Sequence, residues 1–473
     1  MHQRRRSNKL ATWRALGLVG LLTLPLCSAL VVGCKKKPPV AVTVPESDEE
    51  IVATVPGLAP SASSSAGPVL TRCHETGNSG FTIGEAAPSR APADDDDLGG
   101  PDEDDEVPAP FSVELGPARP DSAGFVLSAL RSTKGQAHAL IGLLSADSSS
   151  GKIVDLGAVR GDPDPPQFAL HGADVLVVAA DTDAGGSMLK VGMVRELRDA
   201  ATISWGPEIT GVRRDSTFAL EVAGDRALVA YAAEVAGKIR VYGVLVDPAN
   251  LQSKLTPEPL SAPGADVDSP RLALRKGGYW LAVARSLDAP KKQKKRASDA
   301  GSELEEDSDS LLDIGTRRIE LTKLDGRGKP VSSALVVTAP GARPMTFDLT
   351  AAADGGVYVG FREDDSTPGA DGGALDLVHV MPDGTFRKLE LSGDANGSGT
   401  PSLLVDASDP ARVWLTAASE NGATWFGRVT EHTALAADGV VRGADLIALR
   451  DNRFLLARSK STAAELSVVQ CTE

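Results

Sequence analysis

From Phe111 to the end of the chain, apolar positions come in short runs separated by turn residues. One unit reads as a strand over Phe168–Leu170, a turn at Gly172 to Asp174, an apolar run Val175–Ala180 and an alternating run Met188–Val194. The next repeats it with Phe218–Val222, a turn at Gly224 and Asp225, Ala227–Ala232 and Ile239–Val246. Runs of four to eight residues rich in β-branched side chains, bounded by Gly and Asp, predict β-strands in hairpins. No strong helical window appears in this stretch. The first strand of each unit is anchored at Phe111, Phe168, Phe218, Leu272, Phe347, Leu403 and Leu446, spaced 57, 50, 54, 75, 56 and 43 residues apart. The long spacing holds a charged insertion, residues 289–313, in which a basic block (Lys291 to Arg296) precedes an acidic one (Glu303 to Asp309). Removing those 25 residues restores a spacing of 50.

A repeat of about fifty residues, each unable to bury both of its faces alone, resembles a β-propeller. The resemblance covers 111–473 and implies an all-β fold of seven four-stranded blades. It identifies no particular propeller family, because the Gly-His and Trp-Asp signature of WD repeats and the paired glycines of Kelch repeats are both missing. Ser419 to Trp425 is similar to the Asp-box of sialidase-like propellers, but it is one residue short, has Asn421 where the acid belongs and occurs once. An ordinary hairpin turn with a packing tryptophan is the reading preferred for it.

Ahead of the repeats the pattern changes. Arg4, Arg5, Arg6, Lys9 and Arg14 precede an apolar run from Ala15 to Val32, which closes on Gly33-Cys34 and three lysines. This resembles a bacterial lipoprotein signal peptide over residues 1–33, with Cys34 as the residue lipidated (palmitate among its acyl groups) and left as the new N-terminus. Cys27 follows Leu26, not a small residue, and is a poor alternative. The other reading is an uncleaved anchor: Ala15–Gly33 is 19 residues, close to the length needed to cross a bilayer, although Pro25 interrupts it. Either way the rest of the chain lies outside the cytoplasm. Several acyl chains anchor firmly where one does not. Lys35 after Cys34 favours the outer membrane.

Residues 34–69, rich in Pro, Val, Ala and Ser, read as a flexible tether. Residues 70–110 hold a short strand at Phe81–Ile83 and an acidic stretch with nine carboxylates between Asp94 and Glu106. That stretch is uniform and lacks the spacing of a calcium loop, so it reads as solvated and disordered. The net charge of −15 argues against a nucleic-acid partner.

Chemistry is hard to find. His74, His138, His171, His379 and His432 are isolated, so no metal site is expected. Asp181 to Gly185 lacks the downstream glutamate of a calcium loop, and Asp325-Gly326 and Asp383-Gly384 read as turns. No nucleophile elbow, phosphate loop or dinucleotide fingerprint occurs, and no cofactor is expected. Aromatic residues make up only 4% of the chain, low for stacking sugars. The leading expectation is a monomeric, non-catalytic scaffold that binds a protein or glycan partner. The alternative is a propeller glycoside hydrolase or lyase whose site is assembled from dispersed residues. Acids, arginines or histidines with shifted pKa values clustered at the channel mouth would favour the alternative.

The remaining thiols, Cys73 and Cys471, lie in an oxidising compartment. The final unit offers only three strands (Ala444–Leu449, Phe454–Arg458 and Leu466–Val469). An N-terminal strand near Cys73 pairing beside the last of these would complete the blade and allow a Cys73–Cys471 disulfide.

Overall fold

The computed structural model describes residues 71–472 apart from 77–79, 85–110, 288–316, 364–372 and shorter gaps of one to four residues. The leader with Cys34, the tether, the acidic stretch, the insertion 289–313 and the first part of the Asp-box-like segment lie outside the described residues. Among those described there is no helix, and so none able to cross a membrane.

The first strands are β1 (Arg72–Glu75) and β2 (Phe81–Gly84). Four antiparallel sheets follow, each formed by four consecutive strands in chain order. They are β3 (Phe111–Pro120) to β6 (Gly151–Val159) through β4 (Gly124–Thr133) and β5 (Gln136–Ser145), and β7 (Gln167–His171) to β10 (Thr202–Val212) through β8 (Asp174–Asp183) and β9 (Gly186–Arg195). Then come β11 (Phe218–Ala223) to β14 (Glu258–Pro259) through β12 (Arg226–Val235) and β13 (Lys238–Val246), and β15 (Asp266–Arg275) to β18 (Leu335–Val336) through β16 (Gly278–Ser286) and β17 (Arg317–Asp325).

The next two groups are β19 (Pro344–Ala351), β20 (Val357–Glu363), β21 (Leu375–Val380) and β22 (Phe386–Leu391), then β23 (Ser402–Val405), β24 (Val413–Ala418), β25 (Ala423–Val429) and β26 (Thr433–Ala436). Their outer strands β22 and β26 pair in parallel, which fuses the two groups, and β27 (Val441–Arg442) adds to β25. The last group is β28 (Asp445–Arg450), β29 (Arg453–Ser459) and β30 (Ala463–Thr472). All seven anchors read from the sequence fall in the first strand of their group.

Both faces of each sheet are buried, which is why runs such as Val175–Ala180 are apolar without alternation. Apolar clusters fill the space between consecutive sheets. Phe168 and Val177 meet Val126 and Ile141 between the first two. Trp280 and Ile319 meet Phe347 and Phe361 further round. Trp414 and Phe426 pack on Phe454, with Trp414 and Phe454 edge to face at 5.0 Å. Full burial of a side chain like Phe454 contributes about 2–3 kcal/mol. The outer strands β14 and β18 are two residues long and partly exposed, so no apolar pattern announced them.

Turn chemistry follows local sequence. Asp451 and Asn452 both take positive φ (51° and 58°), the type I′ hairpin geometry that Asp and Asn tolerate best. Their amides donate to the buried Asp406 carboxylate at 3.0 and 3.1 Å, which ties the β23–β24 turn to the β28–β29 turn. Asp325 and Asp383 accept amides two residues on, at 2.8 Å each, as turn residues do.

The N-terminal segment joins the last sheet in two pieces. β1 pairs with β30 from Arg72↔Thr472 to Glu75↔Val469, and β2 pairs with it from Phe81↔Leu466 to Gly84↔Ala463. Cys73 and Cys471 face each other in this register, Cα atoms 4.1 Å apart, and are joined by a disulfide. Between the pieces, Gly80 passes so close to the Leu466 carbonyl that any Cβ would collide with it. Ile83 is buried with Leu455 and Leu466 of the last sheet on one side and Phe125, Leu127 and Leu140 of the first on the other.

Candidate functional site: the central channel

The first strands touch in the order β3, β7, β11, β15, β19, β23, β28, and β28 touches β3. Together they line a channel of about 570 Å³. Four-stranded antiparallel sheets set around a shared channel define the β-propeller architecture.

These innermost strands are sheet edges, and prolines mark them: Pro117, Pro166, Pro270, Pro344 and Pro401 lie in or just before them. Proline lacks an N–H and is tolerated at edges and bulges. In β3 the ladder slips between Leu115 and Ala118, where Gly116 and Pro117 sit, and Arg119 follows at once. In β15 it slips between Asp268 and Arg271 across Ser269 and Pro270, with Ser269 at φ 52°. A bulge bends its strand and re-aims the next side chain. Each arginine lining the channel therefore stands one or two residues after a bulge proline.

Four charged groups line the channel: Arg119, Glu221, Arg271 and Asp348. Arg119 donates from both Nη atoms to Glu221, one of these bonds at 3.4 Å. This pair links β3 to β11 past the intervening β7, which offers only Gln167, Ala169 and Leu170 to the lumen there. The Glu221 carboxylate, with Asp348 beyond it, holds the Arg119 guanidinium above its usual range against the opposing effect of burial. Even so, 37% of the Arg119 side chain is open to the lumen while Glu221 keeps 10%, so water still screens the pair.

Burial pushes the Asp348 carboxyl above the usual carboxylate range. Amides of Leu403 (2.8 Å) and Leu349, with Arg271 and Arg119, pull the other way. Arg271 donates to the Pro270 carbonyl at 3.1 Å and lies over the Phe347 ring at 5.9 Å. Half-buried Leu170, Val222, Leu404 and Ile447, and the exposed Leu274, form an apolar collar around the same space.

Chemically, the channel offers a guanidinium–carboxylate bar, a second guanidinium and a carboxyl that holds its proton more tightly than usual. None of the four was singled out from sequence. A proline one or two residues before an arginine in a unit's first strand, Gly116-Pro117-Ala118-Arg119 and Ser269-Pro270-Arg271, was the signal available.

The histidines do not converge. His138 contacts Asp155 at 3.0 Å, and His379 is buried, stacked on Tyr358 at 4.5 Å with Asp354 at 3.3 Å. Among the described residues no group of three His, Cys, Asp or Glu is placed to hold a metal ion. Asp181, considered above as part of a calcium loop, is buried and accepts from Arg160 at 2.9 Å and from Lys190.

No protein-family model and no curated protein matches this chain. Solved structures do. An ulvan lyase, described as a new polysaccharide lyase family, is 8% identical with a TM-score of 0.50, over 76% of this chain and 94% of that one. The β-propeller domain of the Trilobed protease from Pyrococcus furiosus is 8% identical, TM-score 0.44, over 76% and 95%. An α-L-arabinofuranosidase of Fusarium graminearum is 13% identical, TM-score 0.41, over 69% and 93%. The likeness to the ulvan lyase is one of fold alone.

Proposed function

We propose that this chain is a lipid-anchored, extracytoplasmic scaffold that binds a protein or glycan partner without catalysis. In this reading the body is a seven-bladed propeller, and the N-terminal strands complete its last blade and close the ring. Support for the ring comes from the pairing of β1 and β2 with β30 and from Ile83 between the first and last sheets. Support for the anchor is the Gly33-Cys34 signature after its basic and apolar stretches, and Lys35 favours the outer membrane.

The observation that carries the non-catalytic reading is that both channel acids are already engaged, Glu221 by Arg119 and Asp348 by the Leu403 amide. One observation favours a second reading, a glycoside hydrolase or lyase. Two carboxyl groups share the channel and one of them, Asp348, binds its proton tightly. Glycoside hydrolysis uses such a division of roles.

The test is to offer neutral and uronate-bearing polysaccharides to the wild type, Glu221→Gln and Asp348→Asn, following reducing ends and unsaturated products. No turnover supports the scaffold. Turnover that both substitutions abolish would replace it with the enzyme. Separately, Cys34→Ser is expected to move the protein from the membrane to the soluble fraction; persistence in the membrane would favour the uncleaved anchor.

A further inference from the structure

We propose that the channel lumen is a binding site for a small aliphatic carboxylate, with the carboxylate on Arg271 and the hydrocarbon against the collar of Leu170, Val222, Leu274, Leu404 and Ile447. The inference is separate from the scaffold reading, whose partner is a protein or glycan.

Charge is the first argument. Glu221 is paired with Arg119, whereas Arg271 makes no ion pair within 4 Å among the described residues and acts on Asp348 only at longer range. Its one hydrogen bond is to its own neighbour's carbonyl, Pro270, and its guanidinium is otherwise open to the lumen that it lines. A guanidinium in that state presents paired N–H donors suited to a carboxylate.

Shape and wall chemistry supply the second argument. A volume of about 570 Å³ lies in the range of small-molecule sites. The aromatic rings bordering it, Phe218 and Phe347, are buried in the packing between sheets, which leaves no open ring face for a sugar. What the lumen does expose is branched aliphatic surface. Leu274 stands three residues beyond Arg271 on β15, about 10 Å along a strand. A ligand that satisfies both ends therefore carries several carbons beyond its carboxylate. Acetate would lack the tail and octan-1-ol the charge.

Calorimetric titration of the full chain carrying Cys34→Ser, which removes the acylation site, tests this with octanoate as the probe. The expected result is saturable 1:1 binding of octanoate, with acetate and octan-1-ol each at least tenfold weaker. Arg271→Ala should weaken octanoate at least tenfold and leave octan-1-ol unchanged, and Arg271→Lys should recover part of the loss. Leu274→Asn, at an exposed position that tolerates change, should weaken octanoate and octan-1-ol together. Absence of saturable octanoate binding overturns the proposal. So does octanoate affinity that is equal in the wild type, Arg271→Ala and Leu274→Asn.

Discussion

The seam between β1 and β30 and the central channel both join residues far apart in the chain, by different means. At the seam, backbone pairing sets the register, and a disulfide and a largely solvent-facing ion pair, Glu75 with Arg458 at 2.7 Å, are added on top. In the channel no backbone pairing crosses the lumen, and the contact between β3 and β11 is made by side chains alone, Arg119 with Glu221. The seam therefore depends on covalent and main-chain bonds that survive loss of a charge, whereas the link between β3 and β11 across the channel depends on the charges themselves.

The sharpest way to break that contrast is at the cysteines. Cys73→Ser, or reduction of the wild type, should cost about 3 kcal/mol in urea unfolding, and reduction should then leave the variant unchanged. In the channel, Glu221→Ala should cost about 2 kcal/mol, because it strands the Arg119 guanidinium. The figure stays below that for a fully buried pair since Arg119 is 37% open. The double variant with Arg119→Ala should recover much of the loss in a denaturation cycle.

Acid titration sharpens the comparison, since the two regions should slope in opposite directions. Arg458 holds the Glu75 carboxyl below its usual range, so its contribution is present above the unfolded-state carboxylate value and lost as pH falls through the lowered folded one. Burial raises Asp348, so its contribution is complete below the unfolded value and lost as pH rises through the raised one. Thermal melts of Glu75→Gln and Asp348→Asn against the wild type should therefore show the first variant's deficit growing with pH and the second's shrinking. The smallest effect is expected from Arg458→Ala at neutral pH. Removal of a solvent-screened pair should cost about 0.5 kcal/mol in the same urea experiment.

The two regions also differ in how far the sequence announced them. Cys73 and Cys471 were readable because they are the thiols left outside the leader-like segment and its Cys34 and because the final unit has only three strands, and the strand at Phe81–Ile83 was visible as an isolated apolar piece. The first strands were readable because Phe168 or Phe218 followed by a turn recurs at even spacing. Arg119 and Glu221 were not. Each looks like a solvent-facing charge in a short strand, and their meeting depends on how the sheets curve around the channel, which no local pattern encodes. The parallel pairing of β22 with β26 was hidden for a similar reason: only Glu390 with Thr433 and Leu391 with Ala434 pair, between outer strands of two separate units. β1 left no apolar trace either, since Arg72, His74 and Glu75 are exposed.

The position of the disulfide also has a mechanical consequence. A pull on the chain ahead of Cys73 enters β30 directly at Cys471, and the segment between them, a sequence separation of 398, is bypassed. The strands β1 and β2 cannot be unzipped one hydrogen bond at a time from that side, because the first link in the line of tension is covalent. Tension reaches β29 and β28 by way of β30, as shear across a paired sheet rather than peeling. Reduction of the one bond would turn the same pull into a zipper that opens at Arg72, so the hold of the N-terminal strands against traction is set by the redox state of a single pair of sulfurs.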